Sequence, residues 1–178
     1  MAHTAYPQSY YAASANPAPQ RPALQGEVET DVCIIGAGYT GLSTALFLLE
    51  NGFKVSIVEA AKVGFGASGR NGGQIVNSYS RDIDVIERTV GPKQAQLLGH
   101  MAFEGGRIIR ERIAKYDIQC DLKDGGVFAA LTAKQMGHLE SQKKLWERYG
   151  HTQLQLLDKA GIGKVVGTDR YLGGLLDM

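Results

Sequence analysis

Cysteine is almost missing from this chain: Cys33 and Cys120 are the only two, far apart and outside any CxxC spacing. That argues against a disulfide framework and a thiolate zinc site, and leaves free thiols in a reducing cytoplasm as the reading. An excess of either charge is missing as well. With 19 basic and 18 acidic residues the net charge is +1, so nothing electrostatic recommends nucleic acid or an anionic membrane as a partner. A small, roughly neutral ligand suits such a chain better. The first 25 residues hold no apolar stretch behind a basic start, the layout a secretory signal needs, and no later run approaches the length of a bilayer span. What is present is 178 residues at 44% apolar content, enough for one sizeable core but short for an enzyme of two complete domains.

Residues 1–25 are rich in Ala, Pro, Gln, Ser and Tyr without helical or strand period, which predicts a flexible arm. From Thr30 the pattern changes. Val32-Cys33-Ile34-Ile35 is a continuous apolar run ending at Gly36, as expected of a strand buried on both faces with Cys33 packed inside it. Leu42, Ala45, Leu46 and Leu49 then recur at spacings of three and four up to Asn51-Gly52, which predicts a helix and its stop. Lys54 to Glu59 follows as a β-branched strand, so the order implies a right-handed parallel βαβ unit. Gly64 to Gly73 carries five glycines in ten residues and must be a loop with unusual backbone angles.

Beyond residue 90 the pattern is helical. Leu97, Leu98, Met101, Ile108, Ile109, Ile113 and Tyr116 share about half of a helix circumference, opposite Arg107 and Glu111, with Gly105-Gly106 as a weak point. The charged run 107–112 reads as a solvated helix face. Gly125 to Leu131 predicts a strand, and Thr132 with Gln135 has capping-box spacing for a helix that turns Met136, Leu139, Trp146 and Tyr149 inward and closes at Gly150. Tyr171 to Met178 has the pattern of a strand with no partner behind it. The expected fold class is therefore α/β. A Rossmann-like dinucleotide-binding portion over 26–90 is followed over 91–178 by helical segments and the start of an α+β substrate or cap domain, and the absence of a clear third βαβ unit reads as truncation.

Gly36-Ala37-Gly38-Tyr39-Thr40-Gly41 fits G-x-G-x-x-G. The first glycine allows the tight turn, the second lets backbone approach a pyrophosphate, and the third lets helix and strand pack closely. The helix beginning here points its N–H groups and positive dipole end at the phosphates, and Thr40 adds a hydroxyl donor. Alone, such a hexad also describes an ordinary strand-to-helix turn. Its context is more specific, because Glu59 stands 23 residues after Gly36 at the end of the second strand, followed by Ala60, where a carboxylate can accept both ribose hydroxyls and repel a 2′-phosphate. Glu59 as a solvated carboxylate and Tyr39 as a packed aromatic remain alternative readings.

The hexad and Glu59 do not separate NAD from FAD. The discriminating run is Gly64-Phe65-Gly66-Ala67-Ser68-Gly69-Arg70-Asn71-Gly72-Gly73-Gln74, which resembles the second FAD-contacting segment of the D-amino-acid oxidase superfamily, home also to glycine and sarcosine oxidases. The likeness is greatest to the branch that oxidises gamma-glutamylated polyamines. It is carried by that loop with its continuation Asn77 to Asp82, by Ser9-Tyr10-Tyr11-Ala12-Ala13-Ser14-Ala15-Asn16, and by Trp146-Glu147-Arg148-Tyr149-Gly150. An arm shared with a family weakens its reading as mere flexible chain.

The resemblance implies an FAD enzyme whose small-molecule amine substrate is oxidised at its C–N bond to an imine, with O2 reduced to hydrogen peroxide and an aldehyde released by water. Gly69, Gly72 and Gly73 would let backbone approach the cofactor, Ser68 would donate to a phosphate oxygen, and Asn71 and Gln74 would meet the ring. Arg70 has two readings, a positive charge near the flavin or an exposed salt bridge. No catalytic base stands out: His100, His138 and His151 show no partner in the sequence. Members of the superfamily are about twice this long, and the part absent here would build most of the substrate site. Two other hypotheses compete, an NAD-dependent dehydrogenase with an unusual loop and a catalytically silent dinucleotide-binding module.

Overall fold

A computed structural model describes Tyr6, residues 8–76 and residues 79–178. Asn77 and Ser78, which carry part of the family resemblance, and residues 1–5 and 7 of the arm lie outside the described residues. The chain divides into two compact units, Met1–Gln74 and Ile75–Met178, ahead of the boundary at residue 90 that the sequence suggests.

The first unit opens with a short helix, α1 (Tyr10–Ser14), inside the segment where no regular element is expected; Ser9 caps it by accepting the Ala12 amide at 3.2 Å. Strand β1 (Val32–Ile35) runs parallel to β2 (Val55–Val58), with Val32 opposite Val55 and Ile35 opposite Val58, and α2 (Tyr39–Glu50) joins them. That is the βαβ order predicted. The burial of β1 differs from the expectation, since it alternates rather than running through: Ile35 is 89% exposed and Cys33 is exposed. The reason is that α2 covers one face only. Ile34 points toward Gly41 of that helix, whereas Cys33 and Ile35, one residue either side, project to the opposite face. In α2, Ala45 is buried as its spacing predicts, but Leu49 is exposed near the end of the helix. Asn51 caps it and Gly52 takes a positive φ of 85°, as a helix stop requires.

The second unit holds α3 (Ile83–Val90), α4 (Pro92–Lys115), β3 (Gly126–Ala130), α5 (Ala133–Arg148), β4 (Leu154–Leu157), α6 (Lys159–Val166) and β5 (Gly173–Asp177). Its sheet has the order β3-β5-β4, antiparallel throughout. The strand expected to lack a partner is thus the central one, paired on both edges. Gly173 lies against Met136 of α5 and Gly174 against Ile162 of α6, and any side chain there would collide with both helix and neighbouring strand. Around Ile83, Ala95 and Tyr149 a second cluster gathers Ile86, Phe103, Leu145 and Trp146, and Phe103 meets Trp146 edge to face at 5.8 Å.

Helix α5 begins with the predicted capping box: Thr132 accepts from the Gln135 amide and the Gln135 side chain accepts from the Thr132 amide at 3.1 Å. Helix α4 runs through Gly105-Gly106 without a break, and its buried face overlaps the predicted one only in part: Leu98, Ile108 and Ile113 are half-buried. Ala95, Gly99 and Gly106 are buried, whereas Leu97 and Met101 are 60% and 54% exposed. Close approach decides this, because a Cβ on Gly99 would stand 3.2 Å from the Tyr149 side chain. On the solvated side Arg107 bridges Glu104 and Glu111. Among the described residues, no helix is long and apolar enough to cross a membrane.

Candidate functional site

The turn from β1 into α2 is built from contacts only glycine permits. Gly36 has a φ of +100°, and a Cβ on Gly41 would lie 2.0 Å from the Gly36 carbonyl oxygen. The third glycine of the hexad therefore does what its position predicts, letting helix and strand backbones touch. Ala37, between the first two glycines, is 3% exposed. Its amide donates to Glu59 Oε2 at 2.8 Å, and its carbonyl accepts from Gly64 at 2.9 Å. Sequence reasoning passed over Ala37. Its only signal was small size at a crowded point.

Glu59, at the end of β2, also accepts from the Ala61 amide at 2.9 Å. The Ala37 amide first, then that of Ala61, holds its carboxyl below the ordinary value; slight desolvation opposes them, and the Ala60 amide adds least. The anion ties the first turn of the βαβ unit to the strand beside it. A carboxylate has about four lone-pair sites, so two amide bonds leave it room to accept from further donors.

The loop 64–74 closes on the same turn. A short 3-10 turn, Ala67–Gly69, brings Ser68 to the start of α2, where its Oγ accepts the Tyr39 amide at 3.0 Å. Gly38 caps that helix and has no side chain to serve it, so the loop supplies the missing acceptor. A Cβ on Gly38 would come within 3.0 Å of the same oxygen. Gly69 is packed as tightly, its Cβ position falling 2.3 Å from the Gly64 carbonyl oxygen. Asn71 locks the turn: its Nδ2 donates to the Ser68 carbonyl at 3.0 Å and to the Tyr39 hydroxyl at 3.1 Å, while its Oδ1 accepts from the Gly73 amide at 2.9 Å.

Hydrogen bonds thus connect Tyr39, Ser68, Asn71 and Gly73 on one side and Ala37 with Glu59 on the other, Gly36, Gly38, Gly41 and Gly69 lie at close approaches around them, and Ala60 follows Glu59. Thr40 stands exposed on the first turn of α2, where its amide and that of Gly41 have no intrahelical acceptor by helix geometry. Gly72 and Gln74 lie exposed at the far end of the loop. The Arg70 guanidinium lies over Phe65 at 5.4 Å and its Nε donates to the Phe65 carbonyl at 3.2 Å. Phe65 itself was missed as a site residue. In the second unit His151, read from sequence as having no partner, is buried with Nε2 at 2.7 Å from Asp177 Oδ1 and its ring 5.0 Å from that of Phe103.

Known proteins similar to this chain identify its family. The chain is 58% identical over 98% of its length to gamma-glutamylputrescine oxidoreductase of Escherichia coli, and 45% identical over 99% to a probable oxidoreductase, OrdL, of Haemophilus influenzae. It spans 41% of the length of each of these relatives. Among solved structures, an L-amino acid deaminase from Proteus vulgaris superposes with a TM-score of 0.62 at 22% identity, covering 86% of this chain and 39% of that one. An L-proline dehydrogenase from P. horikoshii gives 0.60 at 15%, covering 84% and 36%, and at such identities the likeness is one of fold. A family model described as FAD dependent oxidoreductase matches residues 31–178. With its turn, its loop and nearly its whole length accounted for in these terms, the chain belongs to the DAO family of FAD dependent oxidoreductases.

Proposed function

We propose that the turn and loop described above hold FAD, and that the protein oxidises the C–N bond of a gamma-glutamylated polyamine such as gamma-glutamylputrescine. The observation that carries the substrate class is the 58% identity to the E. coli gamma-glutamylputrescine oxidoreductase, which runs across 98% of the chain and includes the arm and the loop. In the overall reaction the amine becomes an imine, O2 takes the two electrons and protons to give hydrogen peroxide, and water releases the aldehyde and ammonia. FAD when bound supplies the two-electron acceptance.

The chain's own residues bind and orient. The Thr40 and Gly41 amides with the positive end of α2 receive the pyrophosphate, and Ser68, whose oxygen accepts from Tyr39, retains its O–H as a donor to it. Gly38 keeps the approach open, since a side chain there would stand against Ser68. Glu59 accepts ribose hydroxyls with the lone pairs its two backbone bonds leave. Asn71 holds the loop to Tyr39 and so fixes where the donors stand.

The test is anaerobic reduction of the FAD-loaded protein. Gamma-glutamylputrescine is expected to bleach the oxidised flavin band, and readmitted oxygen to restore it with hydrogen peroxide formed. Bleaching by L-proline or a D-amino acid, with none by gamma-glutamylputrescine, would overturn the substrate assignment and leave the cofactor assignment in place.

A further inference from the structure

Resting on the FAD reading of the turn and loop, we propose that Tyr6, far from the loop in sequence, is a positioning residue for the cofactor: it straps the stretch 62–70 and so holds Ser68 at the start of α2. The loop is held internally by Asn71 and by short turns, but its outer side is open. Lys62, Val63, Gly66, Ala67, Gly69 and Arg70 are all exposed, and glycine-rich backbone has the most conformational freedom to lose. Three hydrogen bonds tie it to the hexad: the Gly64 amide to the Ala37 carbonyl at 2.9 Å, the Tyr39 amide to Ser68 Oγ at 3.0 Å and Asn71 Nδ2 to the Tyr39 hydroxyl at 3.1 Å.

Tyr6 adds three contacts from outside. Its hydroxyl donates to the Val63 carbonyl at 2.5 Å, its ring lies 6.2 Å from that of Phe65, and the Lys62 ammonium stands over it at 5.1 Å. With Arg70 5.4 Å from the Phe65 ring, the side chains make a run of pairwise contacts, Lys62 to Tyr6, Tyr6 to Phe65 and Phe65 to Arg70. Each adjacent pair lies within the range where ring–ring or cation–ring attraction operates. Tyr6 is the one member that comes from outside the stretch 62–70, 57 residues from the carbonyl it bonds. Phe65 precedes Ser68 by three residues, so orientation of its ring and backbone passes directly into the short turn that presents Ser68. The arm thereby closes the loop onto the hexad before the cofactor arrives, so that less order has to be imposed by binding.

Two variants of the chain, Tyr6→Ala and Tyr6→Phe, separate this role from general folding. The readouts are FAD affinity by flavin fluorescence titration and, without FAD, the rates of tryptic cleavage after Lys62 and Arg70, with cleavage after Lys115 and Lys143 in the second unit as reference. Tyr6→Ala is expected to weaken FAD binding about tenfold and to speed cleavage at Lys62 and Arg70 while the reference sites keep their rates. Tyr6→Phe, which keeps the ring and loses the hydrogen bond, should recover most of the affinity. Unchanged FAD affinity in Tyr6→Ala overturns the strap and leaves the FAD site standing. Weakened binding with faster cleavage at the reference sites overturns it too, as a folding defect. A wild-type chain that binds no FAD overturns both.

Discussion

The two units differ in what is buried. In the second, Ile83 and Ile162 are fully enclosed and Leu154, Leu157, Leu175 and Tyr149 are nearly so; in the first, the buried apolar residues among those described are Ala37 and Ala45. The second unit is shaped by side chains filling space between helices and sheet. The first is shaped by backbone approaching backbone, at Gly41 over Gly36 and Gly69 over Gly64. A surface made of amides and glycines suits a pyrophosphate and anchors itself poorly. Its order rests on hydrogen bonds from single side chains, Glu59, Ser68 and Asn71.

Substitutions can break this contrast in either direction. The largest effect is expected from Gly41→Val, because the Gly36 carbonyl already occupies the space: FAD affinity should fall by more than about 100-fold, while the far-ultraviolet signal of the second unit survives. Ile162→Ala is the mirror case. It should destabilise the second unit by about 2–5 kcal/mol in denaturant titration and leave FAD affinity unchanged.

Glu59→Ala comes next, weakening FAD binding about tenfold in titration through lost hydrogen bonds to a charged group. The same residue makes the first unit acid-sensitive. Its folded pKa is lowered, so its contribution is present above the ordinary value of 4.5 and is lost as pH falls through the folded value beneath it. Protection of the Ala37 and Ala61 amides from hydrogen exchange should decline in that window, and Glu59→Gln should remove the dependence. Smallest is Thr132→Ala, which removes a helix cap in the second unit for about 1 kcal/mol with no change in flavin binding.

Legibility from sequence follows the same division. The hexad, Glu59 and the loop could be read because glycines at fixed spacing record backbone geometry directly, and the structure brings most of them together by hydrogen bonds and close approaches. Helix α5 was legible through Thr132 and Gln135, a signal contained within four residues. What was not legible depends on distant partners. Strand β4 and helix α6 were missed because β4 has only four residues and α6 carries Gly161 and Gly163, poor helix formers that blur its period. Strand β5 looked unpartnered because both its neighbours come earlier in the chain and pair with it across long separations. The face of α4 was legible only in part, because large apolar residues mark a helix stripe by hydrophobicity, whereas its neighbour Tyr149 selects small ones. Arg70 and Tyr6 meet on Phe65 through loop geometry that no spacing rule records.

Whether the backbone turn Gly36 to Gly41, closed by the loop at Ser68, holds FAD is tested most directly by titrating the purified chain and its Gly38→Val variant with FAD and, in parallel, with NAD. Saturable FAD binding by the chain, lost in Gly38→Val and not matched by NAD, is the predicted result. NAD binding in place of FAD, or equal FAD affinity in chain and variant, would contradict it.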